Sequence, residues 1–215
     1  MDIPPRLAPL LEQFDWGCLR LLNRMTGPVV DSGNGTPVEV SPMGTEEYLW
    51  EPVPDAWSVR PRKDGPGPRA TVLTGAGEWG RDSAEPEHPS PPPFTTIAWR
   101  LSHISEMLML RADYTTGSHT LTSETYVTSG EAAEAIAGFV VASDAWRGTL
   151  LSCDDAALDT VGLSTYPYGS DAGEVFIDIV WWVSQEILHH GAEIALLRDL
   201  YRAPHMTVNR ESISA

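Results

Sequence analysis

Glu186 and His190 stand four residues apart in the run Trp181-Trp182-Val183-Ser184-Gln185-Glu186-Ile187-Leu188-His189-His190-Gly191-Ala192-Glu193-Ile194. In a helix this spacing puts a carboxylate and an imidazole on one face, one turn apart. Two such groups can grip one divalent metal, and a third donor must come from elsewhere. His103, in Trp99-Arg100-Leu101-Ser102-His103-Ile104, is the best candidate. The spacing also fits a buried Glu–His pair that only hydrogen-bonds, and a single His among apolar neighbours is commonly a satisfied core residue. Energetics bears on the choice. An ionised carboxylate buried without a partner costs several kcal/mol, and one cation would satisfy both side chains at once.

Helix register separates the neighbours. The apolar stripe Phe176, Val180, Val183, Ile187, His190, Ile194 and Leu197 places His190 inward. His189, rotated about a quarter turn away, follows the more polar row of Gln185 and Asp178. It reads as a surface group or one that supports the ligands from behind. Glu193, one turn beyond His190, could support it, serve as an alternate ligand, or be a solvated charge. No catalytic acid or base can be named from spacing.

The elements that must position these groups are helical. Residues 5–25 carry Leu7, Leu10, Leu11, Phe14, Cys18, Leu21, Leu22 and Met25 at helical spacing, with Gly27-Pro28 as a stop. Residues 94–113 resume it with Ile97, Leu101, Ile104 and Leu108. A third helix follows Thr128-Ser129-Gly130-Glu131, which reads as a capping box, with Ala132, Ala135, Ile136, Phe139, Val140, Ser143, Trp146 and Leu150 inward. Asp171 with Glu174 is expected to cap a fourth helix running to about Tyr201. Residues 26–93 are rich in Pro and Gly and read as a long irregular connection with short helical turns or strands at most. Trp50 and Trp57 of that connection, with Trp99, are candidates to line a small-molecule pocket. Four helices without β alternation suggest an all-α, antiparallel four-helix bundle: a single domain over 1–203 and a frayed tail over 204–215.

The 215 residues suffice for one packed core. With 14 Lys and Arg against 30 Asp and Glu, the formal net charge is -16, which disfavours nucleic acid and anionic membranes as partners. Cys18 and Cys153 allow no zinc ribbon. Cys18 reads as a buried inert thiol, and a nucleophilic Cys153 has no basic neighbour in sequence to activate it. The start Met1-Asp2-Ile3-Pro4-Pro5-Arg6 lacks a signal-peptide pattern and no apolar run is long enough to span a bilayer, so a cytoplasmic protein is expected.

Three segments together resemble the DinB/YfiT superfamily of four-helix bundles: Glu47-Tyr48-Leu49-Trp50-Glu51-Pro52 with Trp57-Ser58-Val59-Arg60-Pro61, then Thr95-Thr96-Ile97-Ala98-Trp99-Arg100-Leu101-Ser102-His103-Ile104, and Glu186 to Ile194. Many members carry His on the second helix and two His, four apart, on the fourth. Here Glu186 stands in place of the first of that pair, which resembles the mycothiol-dependent maleylpyruvate isomerase and thiol S-transferase branch, where His, Glu and His bind zinc. The resemblance implies His103, Glu186 and His190 as ligands, mycothiol as co-substrate, and transfer or addition of a metal-activated thiolate to an electrophilic small molecule. Nickel, iron and manganese accept the same donors as zinc. A metal-dependent hydrolase or isomerase without thiol, and a non-catalytic binding or stress-response protein, are the competing expectations. The composition, rich in Pro and Gly and poor in Lys, looks actinobacterial, and a homodimer is among the assemblies such bundles form.

Overall fold

The computed structural model describes residues 3–27, 41–166, 168 and 171–206. Four long helices dominate: α1 (Ala8–Thr26), α3 (Ile97–Thr116), α4 (Ala132–Ser152) and α6 (Phe176–Met206). Short helices α2 (Thr45–Tyr48) and α5 (Asp155–Leu158) and a sheet of β1 (Val59–Pro61), β2 (Val72–Thr74) and β3 (Trp79–Ser83) fill the connections. The long helices form a closed ring in which α1 packs on α6, α6 on α3, α3 on α4 and α4 on α1. The stripes read from the sequence meet inside it: Leu11, Phe14, Leu21 and Met25 of α1, Leu101, Ile104 and Leu108 of α3, Phe139 and Trp146 of α4, and Val180, Val183, Ile187 and Ile194 of α6 are all buried.

The helix directions differ from the simple alternation expected. Gly17 lies against Ile187 and Leu188, Leu21 against Gly191, and Arg24 donates to the Ala195 carbonyl, so α1 and α6 run parallel. Thr116 meets Thr149 while Leu101 shares a cavity with Ala135 and Gly138, so α3 and α4 are parallel too. The remaining neighbours are antiparallel: Asp15 pairs with Arg147 across α1 and α4, and Arg100 with Glu193 across α3 and α6. The cause is the 117–131 connection. Fifteen extended residues reach about 50 Å, more than the roughly 30 Å of a 20-residue helix, so the chain crosses back along α3 before α4 begins. The close approach of α1 to α6 depends on Gly17, where a Cβ would meet Ile187 Cγ2 at 3.2 Å.

The segment expected to be irregular holds an antiparallel sheet of order β1-β3-β2. Its centre is Asp82, wholly buried, whose carboxylate accepts from Ser58 N–H (2.9 Å), Arg60 Nε (2.8 Å) and Gly67 N–H (2.8 Å). The same residue's carbonyl accepts from Trp99 Nε1 at 2.8 Å, which docks the sheet on the first turns of α3. Residues 28–40 of this connection, including Pro28 of the expected helix stop, lie outside the described residues. Gly27, at φ 42°, ends α1 by donating to the Asn23 carbonyl.

Two expected caps are replaced. Thr128 Oγ1 donates to Ser102 instead of capping α4; Ser129 Oγ accepts from Glu131 N–H and donates to Glu134, and Thr45 Oγ1, from a distant segment, accepts from Ala132 N–H. Asp171 binds Arg111 and Tyr166 N–H, and the Phe176 N–H at the start of α6 goes to the Thr160 carbonyl. At α3, Thr96 Oγ1 accepts from Trp99 N–H and caps the helix two residues later than the expected start. The C-terminal helix continues through Pro204 to Met206, into the segment expected as tail; residues 207–215 lie outside the described residues. Among the described residues no helix is long and apolar enough to cross a membrane.

Candidate metal centre

Helices α3 and α6 pack antiparallel, so two turns of α3 face two turns of α6. Trp99, Arg100, His103 and Glu106 are presented by α3; Glu186, His190 and Glu193 follow at i, i+4 and i+7 on α6, over a floor of buried Val183, Ile187 and Ile194. His103, Glu186 and His190 each offer a ligand atom, and these atoms all lie within 4.8 Å of one another. Glu186 Oε2 is 3.4 Å from His103 Nε2 and 3.3 Å from His190 Nε2. Their side chains are 29%, 20% and 14% exposed for His103, Glu186 and His190. That exposure matters: the seam is partly open, so a cation and a small ligand can reach it.

The protonation chemistry of Glu186 and His103 suits cation binding. The His103 and His190 imidazoles beside it hold the Glu186 carboxyl far below the usual carboxylate range, so it stays anionic. Burial pushes His103 down, against the pull of Glu186, towards the neutral imidazole whose lone pair a metal needs. Burial also opposes charge on His190, but Glu186 and Glu193 outweigh it and its pKa is raised. Two neutral imidazoles and one carboxylate are a donor set that leaves positions open on a divalent metal.

The surroundings fix the ligand orientations. The Trp99 ring stacks on His103 at 5.2 Å between centroids. Trp99 is held in turn by its bond to Asp82 and by Arg81, whose guanidinium lies 5.3 Å from the ring centre and pairs with Glu106 at 2.7 Å. His190 Nδ1 is 2.8 Å from Glu193 Oε2. His189 Nε2 is 3.4 Å from Glu193 Oε1 and the ring is 64% exposed, so it lies at the rim.

The expected aromatic pocket is not assembled as such. Trp57 is fully enclosed, 6.5 Å from Trp99 and 5.6 Å from His88 between ring centres, and works as packing behind Trp99. Trp50 packs edge-on against Tyr201 towards the end of α6. Trp99 alone of the three touches a candidate ligand. A separate half-open cavity of about 220 Å³ lies on the α4 side of α3, lined by Ser102, Ser105, Tyr126, Thr128, Ser129 and Glu134 among others, with none of the three candidate ligands in its wall. Neither cysteine is poised to react. Burial pushes the Cys18 thiol up to about 12, and Cys153, raised by burial as well, donates to the Thr149 carbonyl.

Sequence reasoning passed over Arg81, Arg100 and Glu106. Arg100 and Glu106 were legible in principle: each lies three residues from His103 and so near its face of the helix. Arg81 had no such signal, because its partner is set by the docking of the sheet.

No curated protein and no solved structure matches the chain. The family model of the DinB superfamily matches residues 79–194, a stretch that begins at β3, runs through α3 and α4 and ends one residue past Glu193. It takes in over half of the sequence and all three candidate ligands, and the chain belongs to the DinB superfamily.

Proposed function

We propose that this protein is a metal-dependent enzyme that adds or transfers a low-molecular-weight thiol to an electrophilic small molecule, with His103, Glu186 and His190 holding zinc. The observation that carries the proposal is the convergence of two imidazoles and a carboxylate, within 4.8 Å, on a partly open seam between two helices. When bound there, a divalent metal supplies Lewis acidity that lowers the pKa of a thiol and keeps it as the nucleophilic thiolate.

The chain's own residues do the rest. Glu186, held anionic by its two histidines, contributes the single negative charge of the donor set. His103 presents Nε2 while its ring face is covered by Trp99, which keeps water from one side. His190 ligates as the neutral imidazole, with its Nδ1 edge 2.8 Å from the Glu193 carboxylate. The carboxylate among the donors is the feature held in common with the mycothiol-using branch, which supports mycothiol as the thiol. On this reading the ring of long helices is the superfamily's four-helix bundle, cytoplasmic, with the sheet and α2 covering one end.

The test uses purified protein loaded with zinc, incubated with mycothiol and monochlorobimane. Thiol consumption above the protein-free rate, reduced to that rate in Glu186→Gln, is the expected result. Consumption at the background rate with several electrophiles overturns thiol transfer, and elemental analysis showing equal metal in wild type, Glu186→Ala and His190→Ala overturns the metal site.

A further inference from the structure

A histidine that ligates through one ring nitrogen must keep its proton on the other, and a fixed acceptor for that proton selects the tautomer. We propose that Glu193 and Arg100 form a positioning pair that commits His190 to ligation through Nε2 and keeps Glu193 itself off the metal. The inference rests on the metal reading above and assigns roles to two residues outside the ligand set.

The geometry runs from helix to helix. His190 Nε2 faces Glu186 at 3.3 Å, on the side where His103 also converges. Nδ1, on the opposite edge of the ring, lies 2.8 Å from Glu193 Oε2. Both ring nitrogens face carboxylates, which only accept, and the contact at Nδ1 is the shorter, 2.8 Å against 3.3 Å; in the neutral ring Nδ1 therefore carries the hydrogen and the Nε2 lone pair points at the shared space. Glu193 would otherwise have freedom to move. One turn past His190, it could rotate towards an open coordination position. Arg100 removes that freedom: its Nη1 lies 3.1 Å from the same Oε2, and the guanidinium sits 5.5 Å from the Phe94 ring centre in a side chain only 10% exposed. The other oxygen, Oε1, faces His189 at 3.4 Å. Arg100 precedes His103 by three residues on α3, so the helix that delivers one ligand also clamps the carboxylate behind another. The two ends of the site are thereby set by one helix contact, and positions on the metal remain open for a thiol.

The test compares wild type with Glu193→Gln, Glu193→Ala and Arg100→Met by zinc titration against a chromophoric chelator, by the visible spectrum with cobalt(II), and by long-range ¹H–¹⁵N spectra of the histidines in metal-free protein at pH 9. Wild type should show His190 as the Nδ1–H tautomer, and Glu193→Ala a mixture. Zinc affinity should fall about 10–100-fold in both Glu193 variants, as for loss of an acceptor behind a ligating histidine, with the stoichiometry kept. Arg100→Met should weaken binding less and shift the cobalt band towards higher coordination, because Glu193 is released. A merely structural Glu193 would lower the melting temperature of the metal-free protein and leave the tautomer and zinc affinity unmoved; that result overturns the proposal. If wild type takes up no zinc, the metal reading falls, and the tautomer spectra still decide the pair: an unchanged tautomer in Glu193→Ala overturns it, and a mixture retains it.

Discussion

Two carboxylates in this molecule each face two basic side chains of α6 or α3, and they are built for different ends. Glu47, on α2, accepts from Arg198 Nε (2.8 Å), Arg198 Nη2 (3.2 Å), Arg202 Nε (3.2 Å) and Arg202 Nη2 (3.1 Å), with the carboxylate and Arg198 almost wholly enclosed. Both carboxylate oxygens accept from both arginines, and arginine is always charged, so Glu47 is fully engaged in an ion-paired cluster. Glu186 faces two imidazoles at 3.3 and 3.4 Å, beyond the usual hydrogen-bonding range, in a seam left partly open. Imidazoles can offer lone pairs where guanidinium cannot. The same ratio of one acid to two bases thus gives a lock in one place and, on the proposed reading, a ligand set in the other. The difference lies in base type, spacing and access.

The comparison breaks most easily at the lock. Glu47→Ala leaves the Arg198 guanidinium buried and uncompensated, and should cost about 3–5 kcal/mol in urea unfolding. Glu47→Gln separates charge from packing through pH. Burial raises the Glu47 pKa but its two arginines outweigh this, so the folded value is depressed below the ordinary 4.5. Its contribution is present above that value and is lost as pH falls below it. The urea midpoint of wild type should therefore drop more between pH 6 and pH 3 than that of Glu47→Gln. Parallel curves would show that the lock is not electrostatic.

Next in size is the response to metal. At zinc one hundred times its Kd, wild type should gain about 2.7 kcal/mol of stability, and Glu186→Gln should gain little. Metal-free, the same substitution should cost within about 1 kcal/mol, because the group is partly solvated and its contacts are long. Equal zinc responses in the two proteins would remove the distinction between ligand set and lock.

What the sequence showed, and what it hid, follows the same division. The four long helices were legible because each buries a 3.6-residue stripe, and His190 was separable from His189 by that register alone. The sheet was not legible: along β3 the buried positions are Gly80 and Asp82, so the alternation that marks a strand is polar and short. Helix direction was hidden for another reason. Whether α3 and α4 run parallel is decided by how far residues 117–131 travel, which composition does not encode. Nothing near Glu47 in sequence points to Arg198, which packing buries against it, whereas Glu186 and His190 sit four apart on one helix. Local chemistry was readable; chemistry assembled across 151 residues of separation was not.

The peripheral members make the smallest and sharpest test. Arg202 adds two contacts to Glu47 but is 25% exposed, and its loss leaves Arg198 in place, so Arg202→Ala should cost about 1 kcal/mol in urea unfolding. His189, 64% exposed and 3.4 Å from Glu193, should matter less still: His189→Ala should change stability by under about 0.5 kcal/mol and leave zinc stoichiometry intact. The two substitutions probe one idea from opposite sides. A closed cluster shares its charge among all members, so removing an outer arginine is felt inside. A centre organised around His103, Glu186 and His190 tolerates loss of a rim imidazole, because His190 keeps its Nδ1 contact with Glu193. If His189→Ala were to abolish zinc binding while Arg202→Ala left stability unchanged, the roles of rim and centre would have to be exchanged, and His189 rather than His190 would become the ligand to pursue.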